Sequence, residues 1–580
     1  MKSISNDSPR FLNTDKISID CEIDSLRNNK DYHAMIGSYG YKILKPYLWG
    51  AGLHSDFIYN KKWLKNNNSL HPAKLGMATF FLLNEAYYSN DKKTIQLAEE
   101  YLGLLSNEKS FIDEVENSML WKYNYKWREL DPGWWSSLAN SVIALSFLSA
   151  WQQFGLKRYK DIADKAINGV ILPIDKGGST LWLDENSCWF FEYAHKNLMK
   201  DNGYYVLNGF LVSLLTVRLY ADVTGNEKMR KMYQCGLNGL KKMVNQFYNN
   251  EIIWTYYMLN PLTPESTHYF IFEMMLYESL YNLTHEDFYL QQLEIYRDFF
   301  KANYPLDIYQ EDNNEYFLFS LIGPPNPYWL DTYPIRIDFL DDQGEIIETK
   351  EIKHPEDKNK HIKEKAFIHG RVKNNFNKYK IYSWYEKREH LLYEDTIKNG
   401  DRPLINGACM PESVKYNLRC AYDAVCKDNQ SVKILPSIIT VTKIKNHYTN
   451  NQGVLVFSVS SLNLLKYKHI GFVINPSENL RSIRFCLHDI DGNITCRYYI
   501  ELQANVDNFI LLDLSGFKNH NLKFNLIKQI HLIIPTSDLF HINDFNVTIK
   551  KFLGFRNNVE LYNFVRNEEF FFPEKPLPLD

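Results

Sequence analysis

An apolar helical pattern that returns four times constrains this chain more than any other feature. Leu75, Ala78, Leu82 and Ala86 recur at spacings of three and four within HPAKLGMATFFLLNEAYY, which is the period of an α-helix with one apolar face. After SNDKK the spacing continues through Ile95, Ala98, Leu102 and Leu105, so the two segments predict a helical hairpin. Leu138, Val142, Leu145 and Leu148 lead a second pair, completed through Ile162 and Ala166. Leu207, Leu211, Leu214 and Val217 lead a third, completed between Glu227 and Phe247, and a fourth runs from Thr267 to Tyr281 and from Glu286 to Phe300. The leading segments begin at intervals of roughly 65 residues, the mark of a repeated supersecondary unit. Four hairpins with the more apolar segment always first predict an α/α toroid whose leading helices lie inside. An open α-solenoid with a concave groove is the competing arrangement.

Past residue 305 the period changes from helical to two. The Pro-rich GPPNP (Gly323 to Pro327) marks a break, and PIRIDFL, DDQG and EIIETKEI then predict a β-hairpin. The charged run Lys350 to Lys365 is most simply an exposed loop. Between 440 and 556 five alternating segments follow, around Val454 and Val456, Ile483 and Phe485, Tyr498 and Ile500, Ile530 and Leu532, and Val547 and Ile549, with DIDG (Asp489 to Gly492) as a turn. Short strands at this rhythm favour an antiparallel sandwich, and NFILLDLSGF (Asn508 to Phe517) resembles the corresponding stretch of jelly-roll carbohydrate-binding modules. The expected fold class is therefore α+β and multidomain: an N-terminal α/α toroid of about four helical hairpins, followed by antiparallel, jelly-roll-like β-sandwich modules. Boundaries are expected at 1–45 (extension), 46–305 (catalytic toroid), 306–440 (β-rich connection), 441–556 (sandwich, a candidate carbohydrate-binding module) and 557–580 (tail).

A length of 580 residues suits two or three cores. The formal charge of -3 supplies no broad basic field, which argues against nucleic acid as the partner. No run of about 18 apolar residues predicts a membrane span, and residues 1–20 carry no apolar signal segment. The eight cysteines form no CxxC pair and no zinc spacing, as expected of scattered thiols in a reducing compartment; the expectation is a cytoplasmic protein with no metal and no cofactor. Aromatic residues make up 15% of the chain, with 40 Tyr and 12 Trp, and Tyr and Trp in excess suit clefts that stack on sugar rings.

The mouth of a toroid is built from the loops that precede its inner helices. Here those loops hold Asp131, Trp134 and Trp135 in LDPGWWSSLANS, Trp189, Glu192, Tyr193, His195 and Lys196 in CWFFEYAHK, Asn208 in YYVLNGFLVSLL, then Trp254, Tyr256 and Tyr257, and finally Glu265 and His268. Carboxylates, phenols, imidazoles and stacking surfaces thus gather at one end.

LDPGWWSSLA, WFFEYA and VLNGF, in that order, resemble the C-terminal catalytic domain of the glucuronyl C5-epimerase family, over about residues 45–300. The resemblance implies an α/α toroid fused to β-structure that converts D-glucuronate to L-iduronate within heparosan-type polysaccharides. In that family the β-modules precede the toroid, whereas here the β-rich part follows it. The family's Glu-Tyr pair falls on Glu192 and Tyr193. Its second tyrosine falls on Trp254, with Tyr256 and Tyr257 close by, and the Arg of that segment has no counterpart. Its third falls on Pro264, ahead of Ser266, Thr267 and His268.

Removing a proton α to a carboxylate creates an enediolate, so the reaction needs a base at C5, donors for the carboxyl oxygens, and a proton donor on the opposite face. Tyr193 is the candidate base, Tyr257 or Tyr256 its opposite, Glu192 an orienting or proton-accepting carboxylate, and His268 a donor to the substrate. Asp131, Trp134, Trp135, Trp189, His195, Lys196, Asn208, Trp254 and Glu265 are candidate contacts to an acidic polysaccharide or oligosaccharide. Three other readings remain open. A lyase makes the same abstraction and expels the 4-O group. A glycoside hydrolase would draw two carboxylates from Asp131, Glu192 and Glu265. A non-catalytic glycan-binding protein would need only the shape of the site.

Overall fold

The computed structural model describes residues 64–66, 69–89, 91–195, 198, 202–249, 253–321, 334–352, 367–373, 376–385, 388–397, 412–413, 417–420, 431–435, 438–442, 453–514, 522–534, 546–566, 568 and 570. The expected extension 1–45, the GPPNP break, Lys196 and most of the run from 350 to 365 fall outside the described residues. Residues 64–248 with Thr255–Tyr296 form one compact unit, and Asn249–Trp254 with 297–570 form another.

The helical unit contains the expected hairpins: α1 (Pro72–Ser89) with α2 (Lys92–Asn107), α3 (Ser137–Phe154) with α4 (Lys157–Ile171), α5 (Leu207–Thr224) with α6 (Glu227–Met243), and α7 (Thr267–Thr284) with α8 (Asp287–Asn303). Each leading helix is apolar nearly all round and buried accordingly: every residue of α3 from Ser137 to Ala150 is buried. The trailing helices α4 and α6 bury only one face, as amphipathic helices on the outside of a layer must. Leading helices touch in sequence order, α1 to α3, α3 to α5 and α5 to α7. Gly76 allows the first of these approaches, since a Cβ there would stand 2.8 Å from the Ile143 side chain, and Ser146 Oγ donates to the Gly76 carbonyl at 2.8 Å.

Ser136 caps α3 by accepting from the Ala139 N–H, and Gly155 and Gly225 end α3 and α5 in the left-handed conformation that glycine adopts without cost. Short hairpins fill the connections: β1 (Ile112–Val115) with β2 (Ser118–Trp121), and β3 (Thr180–Asp184) with β4 (Ser187–Phe190). β5 (Tyr205–Val206), β6 (Trp254–Leu259) and β7 (Thr263–Pro264) pair antiparallel in the order β7-β6-β5.

The expectation of scattered thiols is not met, for Cys188, Cys235 and Cys486 are disulfide-bonded. Cys188 on β4 and Cys235 on α6 are joined by a disulfide, with their Cα atoms 5.4 Å apart. Forty-seven residues separate them in the sequence, so no spacing motif announced the pair.

The second unit is built of antiparallel sheets. The expected hairpin is present, Ile335–Leu340 against Ile346–Ile352, and it continues through Lys378–Tyr385 and Arg388–Thr396 into a four-stranded sheet. Leu306–Glu311, Asn314–Ser320 and Phe367–Val372 form a three-stranded sheet. The alternating segments after 440 fall into two further sheets, of six and five strands; Phe472 of one meets Phe485 of the other at 4.9 Å. Helix α9 (Asn558–Val565) lies within the expected tail and packs Val559, Leu561 and Val565 into a cluster with Tyr309, Leu318 and Phe367. No helix among the described residues is long and apolar enough to cross a membrane.

Candidate active site

The start of α3 and the segment after β4 are laced together by backbone hydrogen bonds. Ser137 N–H donates to the Phe191 carbonyl (3.0 Å), and Trp135 and Ala194 exchange a pair of bonds (3.0 and 2.8 Å). The Gly-Trp and Trp-Phe-Phe-Glu-Tyr-Ala motifs are therefore neighbours in space, and Glu192 and Tyr193 are held between these ties. Glu192 is buried, and its side chain lies over Gly209 near the start of α5, where an added Cβ would sit 2.1 Å from Oε2. This close approach explains the Leu-Asn-Gly motif: only glycine leaves room for the carboxyl group.

Tyr193 meets Tyr257 across the site, with their hydroxyl oxygens 3.1 Å apart. Along β6 successive side chains alternate. Thr255 points to Glu265 and Tyr257 to Tyr193, so Tyr256 belongs to the other face. Of the two candidate partners, Tyr257 is the one brought to Tyr193. Behind it, Tyr257 stacks on Tyr269 at 5.4 Å, and His268 lies 4.2 Å from Tyr269 with its Nδ1 3.2 Å from Ser266 Oγ.

The electrostatics follow from burial. Desolvation pushes Glu192 up to about 7, opposed by its hydrogen bond with Tyr193. Tyr257 is held well above the usual phenol range, first by burial and then by the Glu192 charge and Tyr269. Burial lowers His268 to about 4, so its imidazole is neutral near pH 7.

Several expected substrate contacts lie behind the site instead. Trp134 is buried, stacked flat on Tyr123 at 3.8 Å, and donates its indole N–H to the Tyr125 carbonyl. Trp135 is buried with its N–H on the Gly178 carbonyl. Trp189 is enclosed between Phe210 and Phe247, and Trp254 is a core residue against Tyr304. Glu265 is fully buried and accepts from Thr255 Oγ1 at 2.6 Å. Asn208 is buried at the start of α5. A Trp or Glu in a loop looks the same in sequence whether it faces solvent or core, and here the helix starts close over these residues. Asp131 is exposed, and His195 is half-buried beside Trp135 at 6.2 Å.

Sequence reasoning missed Trp127, which stacks on Tyr193 at 3.6 Å and 5° and carries Arg128 at 5.2 Å from its ring. It also missed Tyr269 and Tyr123. The aromatic run KYNYKW ahead of the Gly-Trp motif was the available signal for Trp127 and Tyr123.

Residues 115–298 match the family described as "D-glucuronyl C5-epimerase C-terminus". Those residues are similar to the C-terminal domain of that epimerase family. Glu192, Tyr193, Tyr257 and His268 all fall inside the matched segment. The uncharacterized protein MJ1128 of Methanocaldococcus jannaschii is 27% identical over 215 residues, 36% of this chain and 67% of the relative. Among solved structures, a GH76 α-mannanase of Bacteroides thetaiotaomicron is 12% identical over 49% of this chain and 75% of its own, with a TM-score of 0.32. A cellobiose 2-epimerase from Spirochaeta thermophila is 12% identical over 41% and 60%, with a TM-score of 0.27. PfGH50B is 16% identical over 25% and 22%, with a TM-score of 0.19. The chain therefore spans less than two thirds of the latter two.

Proposed function

We propose that the helical unit, read as an α/α toroid, abstracts the C5 proton of D-glucuronate residues in an acidic polysaccharide and returns it to the opposite face, giving L-iduronate. The observation that carries this reading is the Tyr193–Tyr257 hydroxyl pair beside the buried Glu192. A phenol ordinarily titrates near 10, so a phenolate base needs an acceptor for its proton. Glu192, held near 7, is that acceptor for Tyr193. Tyr257, kept protonated by burial, is the donor.

In the step itself the Tyr193 phenolate takes the C5 proton, the C–H electron pair moves into the carboxylate, and an enediolate forms. The neutral His268 imidazole donates toward its oxygens. Tyr257 then protonates C5 from the other side, and the proton lost by Tyr257 is restored from Glu192 through Tyr193. Only protons move, so the chemistry needs no carrier of electrons or groups. Inversion requires the sugar to part the two hydroxyls to roughly 6 Å, each within hydrogen-bonding reach of C5.

The 3.1 Å contact also supports a second reading. If both hydroxyls stay on one face, abstraction is followed by expulsion of the 4-O group, which is a lyase reaction. The hydrolase reading loses a carboxylate, because Glu265 is buried and engaged with Thr255.

Incubation of the full chain with N-acetylheparosan in D₂O separates these outcomes. Deuterium at C5 with iduronate resonances supports epimerisation, and ultraviolet absorbance from an unsaturated uronate supports elimination. Binding without either leaves a glycan-binding protein and sinks the enzymatic reading for this polymer.

A further inference from the structure

Tyr193 enters the proposed reaction through its hydroxyl oxygen, and where that atom sits depends on the plane of the ring that carries it. The backbone on either side is fixed, since Ala194 and Trp135 exchange two hydrogen bonds and Ser137 N–H donates to the Phe191 carbonyl. Those ties leave the ring free to turn about its side-chain bonds unless something lies against it. Trp127 does so: its indole is parallel to the Tyr193 ring within 5°, with the ring centres 3.6 Å apart.

The arm that carries Trp127 is itself tied down. Tyr123 N–H donates to the Trp134 carbonyl at 2.7 Å and Gly133 N–H to the Tyr123 carbonyl at 2.8 Å, so residues 123–134 close into a loop on the Gly-Trp motif. At its tip Trp127 and Leu130 exchange hydrogen bonds of 3.0 and 2.9 Å across a two-residue turn, and Leu130 is buried. Arg128 comes first in that turn with φ +50, a position that Asn, Asp and Gly usually fill. A long side chain there is strained, and this one brings its guanidinium to 5.2 Å from the Trp127 ring. Tyr204 meets the indole edge-on at 5.2 Å, and Trp134 lies tilted at 6.2 Å. Trp134, Trp135, Trp189 and Trp254 are all buried as core residues, whereas Trp127 is only half-buried, at the rim and flat against the candidate base.

We propose that Trp127, clamped by Arg128, is a positioning residue for the reaction: its indole fixes the plane of the Tyr193 ring and thereby the direction from which the hydroxyl meets C5. The proposal rests on Tyr193 being the base. Proton transfer needs the base within hydrogen-bonding reach of the proton, and a displacement of about 1 Å is enough to cost about 10²-fold in rate. A sugar that parts the Tyr193 and Tyr257 hydroxyls takes away their 3.1 Å contact. The stack with Trp127 lies on the ring face, away from that contact, and remains as a support while the sugar is bound.

Kinetics of C5 deuterium exchange in variants of the full chain test this role. Trp127→Ala should lower kcat about 10- to 100-fold with KM nearly unchanged. Trp127→Phe, which keeps a flat ring against Tyr193, should recover most of that loss, and it keeps the test decisive if the alanine variant folds poorly. Arg128→Asn accepts the same φ without a charge, and loss of the clamp should lower kcat about 2- to 5-fold. A rise in KM at unchanged kcat in Arg128→Asn would mean a contact with the glycan and would overturn the clamp. A crystal structure of Trp127→Ala should show the Tyr193 ring turned from its wild-type plane, and this needs no turnover. An unmoved ring, or an unchanged kcat in Trp127→Ala, overturns the positioning role. Wild-type chain that exchanges no C5 proton on a glucuronate polymer overturns the function instead, whatever the ring does.

Discussion

Tyr193 and Tyr257 each offer one hydroxyl to the other, so replacing either by Phe removes a proton-transfer group while keeping the ring. Each substitution should lower C5 deuterium exchange by about 10²- to 10⁴-fold, with circular dichroism unchanged. Glu192 must be ionised to take a proton, so exchange should rise with pH through about 7, and Glu192→Gln should abolish that acid limb. Gly209→Ala should be nearly as damaging, because its Cβ would fall 2.1 Å from Glu192 Oε2. Gly103 on α2 is the control, since nothing lies within 4 Å of a Cβ there; Gly103→Ala should stabilise by about 0.5–1 kcal/mol and leave exchange untouched. At this scale the sequence was legible where a motif had a steric reason, as at Glu192 and Gly209. It was not legible at Trp134, Trp189 and Glu265, whose residue types suit a sugar cleft and a core equally.

At the scale of elements, β4 delivers Glu192 and Tyr193, and its other attachment is the disulfide from Cys188 to Cys235 on α6. Closing a loop of 47 residues removes unfolded-state entropy equivalent to about 4 kcal/mol at most. Cys235→Ser should therefore lower the unfolding temperature of the helical unit, and dithiothreitol should do the same to wild type but not to the variant, as read by calorimetry. The leading helices were readable because their four-fold apolar period has no other stable use. The pairing of Cys188 with Cys235 was not, because it depends on α6 packing across β4, where any side chain larger than the hydrogen of Gly239 would collide with the Cys188 carbonyl.

Across the whole molecule, several buried titrating groups in the helical unit set how stability depends on pH. Glu192 and Glu265 rise from 4.5 to about 7 and about 8, so what they contribute is present below pH 4.5 and lost as pH rises through the folded values. His71 and His268 fall from 6.5 to about 3 and about 4, so their contribution is present above 6.5 and lost as pH falls. The unfolding temperature should drop between about pH 6 and about pH 9, and Glu265→Gln with Glu273→Gln should flatten that drop; an unchanged slope would remove these two buried acids as its cause. The sequence by itself determined the helical hairpins, the change to antiparallel strands after residue 305, and the Glu192–Tyr193 motif, because periodicity and close-packing glycines act locally along the chain. Only the tertiary structure decided that Tyr257 rather than Tyr256 meets Tyr193, that Trp127 stacks on Tyr193, and that Glu265 is buried against Thr255. Those choices depend on which side of a strand faces which helix start, and that is fixed by packing between segments far apart in sequence.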